Sequence, residues 1–388
     1  MKLYKGDDLS RLTHVKAKDV LAFVEDLNAV PIRELRDQKL VVAVGTGGTI
    51  SMKITEDGKW LPDLDFDDIM KRTDPTLQEK FVVKGFDAFK IDSPQMNYSH
   101  VRDLAIIMSY IWNNAQIAFA GFLILHGTDT MTYSSSAISI MMGQGLQFSI
   151  VYTGSQKPIQ EPLNDAADNV RNALYTLESL YDCNMAEVVV VIGDHAVLAT
   201  AAEKIDGTQA NAFGAPLHKY VARFDRLEYP VKLASWLKPR RTEAFVPKIW
   251  DGNYSHTLVV KSYLGLNPNV VEEQMRHKDI KAVILYSYGG NTADEAVIDI
   301  IMPIAKKRRL NVYVVSPVGA ELKATYPSVH HMLAVGITPL YMTLSAALAK
   351  IELSLRLFPK STKEAAKFMI ENYVGEIPNE NSRYIAEK

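Results

Sequence analysis

The 388-residue chain carries a formal charge of -2, with 47% hydrophobic and 23% charged residues. That balance is ordinary for a soluble globular protein and gives no electrostatic basis for general affinity to nucleic acid or acidic membranes. The length predicts two or three domains. A single cysteine, Cys183, excludes an internal disulfide and a cysteine-rich metal site; it is expected to be a small packed hydrophobe. Met1 to Lys18 is polar and lacks the apolar core of a signal peptide. No apolar stretch reaches the roughly 18–20 residues of a spanning helix, so a cytoplasmic location is expected.

Residues 1–39 read as an appended segment. Val20, Leu21, Phe23, Val24 and Leu27 sit at an amphipathic helical spacing over Ala17 to Leu27, and Pro31 then breaks the helix. From Leu40 the pattern becomes strand, turn, helix. Apolar runs at Leu40 to Val44, Phe122 to Leu125, Ser149 to Thr153 and Val188 to Ile192 alternate with helical spacings. Those helices are expected at Val101 to Ile117, Ser134 to Met142 and Ala166 to Leu180. Such alternation predicts an α/β fold, a mostly parallel sheet covered by helices on both faces. Residues 214–256, with Pro216, Pro230, Pro239, Pro247 and a basic cluster, interrupt the rhythm and read as a linker that includes short strands. Strands resume at Ala282 to Tyr286 and Val312 to Val315 around a helix from Thr292 to Lys306. A helix from Thr343 to Leu357 then precedes a polar tail. The expected organisation is an extension (1–39), a first α/β domain (40–213), the linker (214–256) and a second α/β domain (257–388).

Two turns carry the chemistry. Val44-Gly-Thr-Gly-Gly-Thr-Ile50 and His126-Gly-Thr-Asp-Thr-Met131 each follow an apolar run that ends as a parallel strand ends. Ligands of open α/β sheets sit at the carboxyl ends of strands, so both turns are expected to open onto one crevice. The first turn lacks the lysine of a P-loop and the G-x-G-x-x-G spacing of a dinucleotide site. In the second, Asp129 stands between the hydroxyls of Thr128 and Thr130. Asp and Thr cap helices well, which accounts for one residue of this string and not for the rest. A threonine hydroxyl needs a base or a charged network to become a nucleophile. A lysine in a dry crevice beside an aspartate serves that purpose, although spacing alone selects none. His126 is read as shaping the turn, and His330-His331 as lacking the carboxylates of a metal site. The acidic cluster from Asp63 to Asp68 is read as a solvated loop or helix start.

Together the strings resemble the bacterial-type L-asparaginase family, most closely its cytosolic type I branch. The resemblance extends through Asp92-Ser93, Thr153-Gly154-Ser155-Gln156, Asn164-Asp165, Glu203-Lys204, Asp206-Gly207 and Phe213. It covers residues 40–357, more strongly before Phe213 than after it. It implies an amidohydrolase that converts L-asparagine to L-aspartate and ammonia through a threonine acyl-enzyme, with no metal or organic cofactor, assembled as a homodimer or homotetramer. On this resemblance Thr49 is the nucleophile on a mobile loop, and Thr128, Asp129 and Lys204 form a triad-like network. Ser93 and Gln95 help to hold the substrate carboxylate, and Asp129 holds its α-ammonium.

The pattern departs from the family at three places. Trp60 stands where the lid tyrosine is expected, and indole cannot relay a proton as a phenol does; Tyr133 is a candidate substitute. Pro94 follows Ser93 in place of a polar residue. Tyr341 and Ser345 replace acidic residues in a stretch that, in the family, helps complete the neighbouring subunit's site. These departures keep two other readings open. One is a glutaminase, such as the glutamine-hydrolysing component of archaeal tRNA-dependent amidotransferase, which shares the signatures. The other is a non-catalytic amino-acid-binding protein on the same fold.

Overall fold

A computed structural model of the chain describes residues 3–4, 7–35, 38–224, 230–238, 243–318 and 326–379. Pro239, Arg240, Arg241 and the end of the polar tail (380–388) lie outside the described residues. The chain opens with a two-residue strand, β1 (Leu3–Tyr4), and continues into α1 (Ala17–Asn28) and α2 (Ile32–Leu35). The apolar stripe of α1 is buried in part: Phe23 is half-buried and Leu21 is exposed. Val20, Val24 and Leu27 are buried in the same core as the strand that follows. The Asp103 carboxylate accepts from the N–H groups of Thr13 (2.8 Å) and His14 (2.8 Å), which ties the segment before α1 to the body of the protein.

The strand β2 (Lys39–Gly47) runs into a one-turn 3-10 helix, Thr49–Ser51, and then a hairpin of β3 (Met52–Ile54) and β4 (Trp60–Pro62). The short helices α3 (Phe66–Met70) and α4 (Leu77–Lys80) precede β5 (Phe81–Ile91). Asp65 stands immediately before α3, and Asp67 and Asp68 lie in its first turn, so the acidic cluster marks a helix start. Next come α5 (Tyr98–Asn114), β6 (Gly121–Leu125), α6 (Met131–Met142), β7 (Ser149–Thr153), α7 (Ala166–Asp182), β8 (Val188–Ile192) and β9 (His195–Leu198). The two-residue strands β10 (Glu203–Lys204), β11 (Phe213–Gly214), β12 (Ala222–Arg223) and β13 (Ile249–Trp250) follow.

The first sheet has seven strands in the order β12-β9-β8-β7-β6-β2-β5. The pairs from β5 to β8 are parallel, and β9 and β12 extend the edge in antiparallel fashion. The central strands are fully buried and largely apolar, with Ser149 and Thr153 at the two ends of β7, as a sheet covered on both faces demands. The stretch read as a linker thus supplies an edge strand, β12. It also supplies β13, which pairs with β1 and buries Trp250 completely.

The second unit begins at β14 (Thr257–Lys261) and continues through α8 (Pro268–Met275), β15 (Ala282–Tyr286), α9 (Glu295–Arg308), β16 (Asn311–Val315), α10 (Pro327–Val335), β17 (Thr338–Leu340), α11 (Leu344–Leu357) and α12 (Thr362–Ile370). Its four strands form a parallel sheet in sequence order. Alternate residues of β15 point to two separate apolar clusters, Val283 and Leu285 to one and Ala282 and Ile284 to the other. That division places helices on both faces. Among the described residues no helix is long and apolar enough to cross a membrane.

Cys183 differs from expectation: it is exposed. It caps the end of α7, with its N–H on Ser179 O, and the chain turns sharply at Asn184 (φ 53°). The side chain therefore leaves the apolar stripe of the helix instead of packing with it.

Candidate active site

The two glycine-containing turns meet because their strands are neighbours. Gly45 of β2 is in register with Leu125 of β6, so the residues after each strand emerge side by side. Gly48 has φ 78°, and a Cβ there would lie 2.3 Å from the Cα of Gly127. Both the left-handed conformation and the contact require glycine. A Cβ on Gly127 would in turn lie 2.5 Å from Ser93 Cβ. Backbone contact therefore brings together the turns that hold Thr49, Thr128 and Ser93. Thr130 Oγ1 strengthens the junction by donating to Ser93 O at 2.9 Å.

A lysine from much later in the chain completes the cluster. Lys204 lies on β10, opposite Phe213 of β11. Its Nζ donates to Thr128 Oγ1 (2.9 Å) and to Asp129 Oδ1 (2.6 Å). Thr128 is 5% exposed, whereas the Asp129 side chain is 61% exposed and that of Lys204 23%. The network thus runs from a buried hydroxyl, through a partly buried lysine nitrogen, to a carboxylate at the rim. His126 is buried, and burial pulls its pKa down to about 4. The neutral ring donates from Nδ1 to Gly127 O at 2.7 Å, and Nε2 stands 3.0 Å from Met96 Sδ. It holds the turn in shape.

The other expected residues surround this cluster. Ser93 is buried (4% exposed) at the start of a 3-10 turn over Ser93–Gln95, while Gln95 is exposed. Pro94 occupies an early position of that turn, where its fixed φ suits the helix start. Trp60 lies on the β3–β4 hairpin opposite Ile54, directly after the turn of Thr49. Tyr133, in the first turn of α6, is 45% exposed. Ser345 does not face open solvent. It is buried, with its Oγ 3.2 Å from Ser136 Oγ and 3.0 Å from Thr343 Oγ1. His331 pairs with Asp299 at 2.8 Å, far along the chain from the cluster.

One residue gained no role from its spacing. Glu203 precedes Lys204, and burial pushes its pKa up to about 7, opposed by the Leu344 N–H. Its charge is felt at Tyr133 and Tyr286, whose pKa values burial and Glu203 raise. A carboxylate beside a lysine in sequence reads as a surface pair, whereas Glu203 is half-buried on β10.

A family model described as "Asparaginase, N-terminal" matches residues 40–235. An L-asparaginase from Thermococcus kodakarensis is 28% identical over 346 residues, spanning 87% of this chain and 99% of that protein. A component of the glutamyl-tRNA(Gln) amidotransferase of Aeropyrum pernix is 27% identical over 354 residues, spanning 88% and 80% of the two chains. Among solved structures, L-asparaginase I from Vibrio cholerae superposes with a TM-score of 0.72 at 23% identity, covering 88% of this chain and all (100%) of that one. At that identity the superposition speaks to the fold.

Proposed function

Because the chain belongs to the asparaginase family, we propose that it is an amidohydrolase that converts L-asparagine to L-aspartate and ammonia. The observation that carries the reading is Lys204 Nζ, held between Thr128 Oγ1 and Asp129 Oδ1 beside the turn of Thr49. A hydroxyl, an amine and a carboxylate in one chain of hydrogen bonds form a proton path, which ligand binding alone does not need.

In the proposed reaction Thr49 Oγ1 adds to the side-chain amide carbon, and its proton passes to the network of Thr128 and Lys204. Backbone N–H groups near Thr128 stabilise the oxyanion, the kind of preorganised donation worth several kcal/mol. The carbon–nitrogen bond then breaks, the nitrogen takes the proton and leaves as ammonia. Water hydrolyses the Thr49 ester, which frees the acid and restores the hydroxyl. Asp129 balances the charge of Lys204 and, being exposed, is placed to receive the substrate ammonium. Ser93 contributes to the carboxylate site, with Gln95 at its edge. The hairpin that bears Trp60 serves as the lid.

Similarity to an amidotransferase component over most of the chain favours glutamine as the alternative amide. The test is ammonia release from L-asparagine and L-glutamine by wild type, Thr49→Ala and Lys204→Ala. Release from asparagine, lost in both variants, supports the proposal; release from glutamine alone transfers it to the alternative. Thermal stabilisation by an amino acid without ammonia release overturns both in favour of a binding protein. Sizing by light scattering distinguishes a homodimer or homotetramer from a monomer.

A further inference from the structure

The turn of Thr49 joins two segments of unequal firmness. On its strand side it is bonded to both neighbours of β2. Thr46, 1% exposed, donates from Oγ1 to Leu125 O at 3.0 Å, one residue beyond the last register pair of β2 with β6. The Gly48 N–H donates to Ile91 O, the last carbonyl of β5, at 2.9 Å. On the other side lies the β3–β4 hairpin, and no residue from Met52 to Pro62 is buried. Two apolar side chains there face water, Ile54 at 53% and Leu61 at 50% exposure. A lone two-stranded hairpin is at best marginally stable, and moving lids are drawn from such segments.

Ser51 stands at the boundary, two residues after Thr49 and 4% exposed. Its N–H and its Oγ both donate to Gly48 O, at 3.1 and 3.0 Å, which closes the 3-10 turn around Thr49. Gly48 O belongs to the planar peptide that precedes Thr49, so fixing it sets the base from which the Thr49 side chain projects. The carbonyl oxygen of Ser51, with its two lone pairs, accepts from the N–H groups of Asp63 (3.1 Å) and Leu64 (2.9 Å), where the chain returns from the hairpin. Ile50 and Leu64 are both buried in the core of the first domain. The hairpin thus leaves and re-enters the body at one residue, and the hydroxyl of that residue grips the turn of the nucleophile.

We propose that Ser51 is a positioning residue for Thr49: its hydroxyl closes the turn on Gly48 O while its carbonyl clamps the returning chain, so that the hairpin moves from a neck at Ser51 and Thr49 stays beside Thr128. The role rests on the reading of Thr49 as the nucleophile. It places Thr49 on the fixed side of the neck, with only the hairpin that bears Trp60 on the moving side.

The test compares wild type with Ser51→Ala, which removes the hydroxyl and keeps the backbone bonds of the neck. A displacement of about 1 Å in a reacting group costs about 10²-fold. With the Ser51 N–H still on Gly48 O, the expected loss is smaller, about tenfold in kcat with KM within about twofold. Ser51→Thr keeps a hydroxyl and is expected to recover most of that rate; no recovery assigns the loss to packing and overturns the proposal. Amide hydrogen exchange read by mass spectrometry needs no turnover. In wild type, residues 53–61 are expected to exchange about 100-fold faster than 48–51 and 63–64, and Ser51→Ala is expected to speed exchange in 48–51. Equal exchange on the two sides of Ser51 overturns the proposal. So does a kcat for Ser51→Ala within about twofold of wild type, even with a lower melting temperature, since the hydroxyl is then purely structural. If wild type releases no ammonia from either amide, the hydrolase reading fails by itself, and the exchange pattern decides whether Ser51 holds the turn.

Discussion

Lys204→Met separates catalysis from stability in a way that follows from where the two ends of the network lie. Methionine keeps most of the stem and loses two hydrogen bonds, to Thr128 Oγ1 and Asp129 Oδ1. The Asp129 side chain is 61% exposed, so solvent takes over its charge and the lost ion pair costs at most about 1 kcal/mol. Thr128 is buried, and losing its charged donor costs about 1 kcal/mol more. A loss of about 2 kcal/mol lowers the melting temperature by only a few degrees, about 2–4 °C per kcal/mol for a domain of this size. Removal of a proton-transfer group lowers the rate about 10²- to 10⁴-fold. The assay pairs ammonia release with a thermal melt on the same preparation. Lys204→Met within tenfold of wild-type turnover refutes the proton path. A melting temperature lower by about 15 °C or more, roughly twice the upper expectation for that loss, shows instead that the lysine is structural.

Other perturbations test the frame around that network. Gly48→Ala puts a methyl 2.3 Å from Gly127 Cα at φ 78°, so both ammonia release and melting temperature should fall. A folded, active variant would show that the two turns do not need this contact. Deleting residues 1–35 removes the buried Val20, Val24 and Leu27, each worth about 1.5–3 kcal/mol, and should lower the melting temperature sharply; an unchanged melt would mean the segment is merely appended. Lys350→Met leaves the fully buried Glu376 carboxylate, now paired at 2.5 Å, without its cation, at a cost of about 3–5 kcal/mol by denaturant unfolding. Burial holds His218 neutral, with its pKa lowered from 6.5 to about 4. The unfolded chain therefore binds a proton that the folded one refuses, and stability present above pH 6.5 is lost as the pH falls toward 4. His218→Phe should flatten that limb of the melting-temperature profile, and an unaltered limb would assign it to other groups.

Much of this architecture was legible in the sequence because the signals were local. The buried parallel strands are runs of apolar residues, and the two turns declare themselves through glycines next to hydroxyls at strand ends. β5 escaped because it lies at the sheet edge and is largely half-buried. Lys84, Gly85, Asp87 and Lys90 interrupt its apolar pattern, so its membership comes from pairing with β2. The same reason hides the place of β12 and β13. Two residues carry no periodicity, and only a distant partner makes them a strand.

The site divides along the same line. Thr49, Thr128 and Asp129 follow from turn chemistry, but Lys204 follows from nothing local. It arrives on a two-residue strand, and its partnership with Thr128 and Asp129 spans the whole of β7, α7, β8 and β9. Resemblance to a family selected it, and the fold supplies the physical reason. Ser345 shows the opposite case. Read by motif it was the loss of an acid, yet it is a buried hydroxyl 3.2 Å from Ser136 Oγ. A position can lose one chemistry and acquire another only if its neighbours change with it, and here Ser136, Thr343 and the carbonyls of Ala199 and Thr200 are the neighbours that accept a hydroxyl. An acid at Ser345 would place a charge among groups at most 4% exposed, beside carbonyl oxygens that cannot donate to it. The departure from the motif therefore belongs to the packing of α11 against α6.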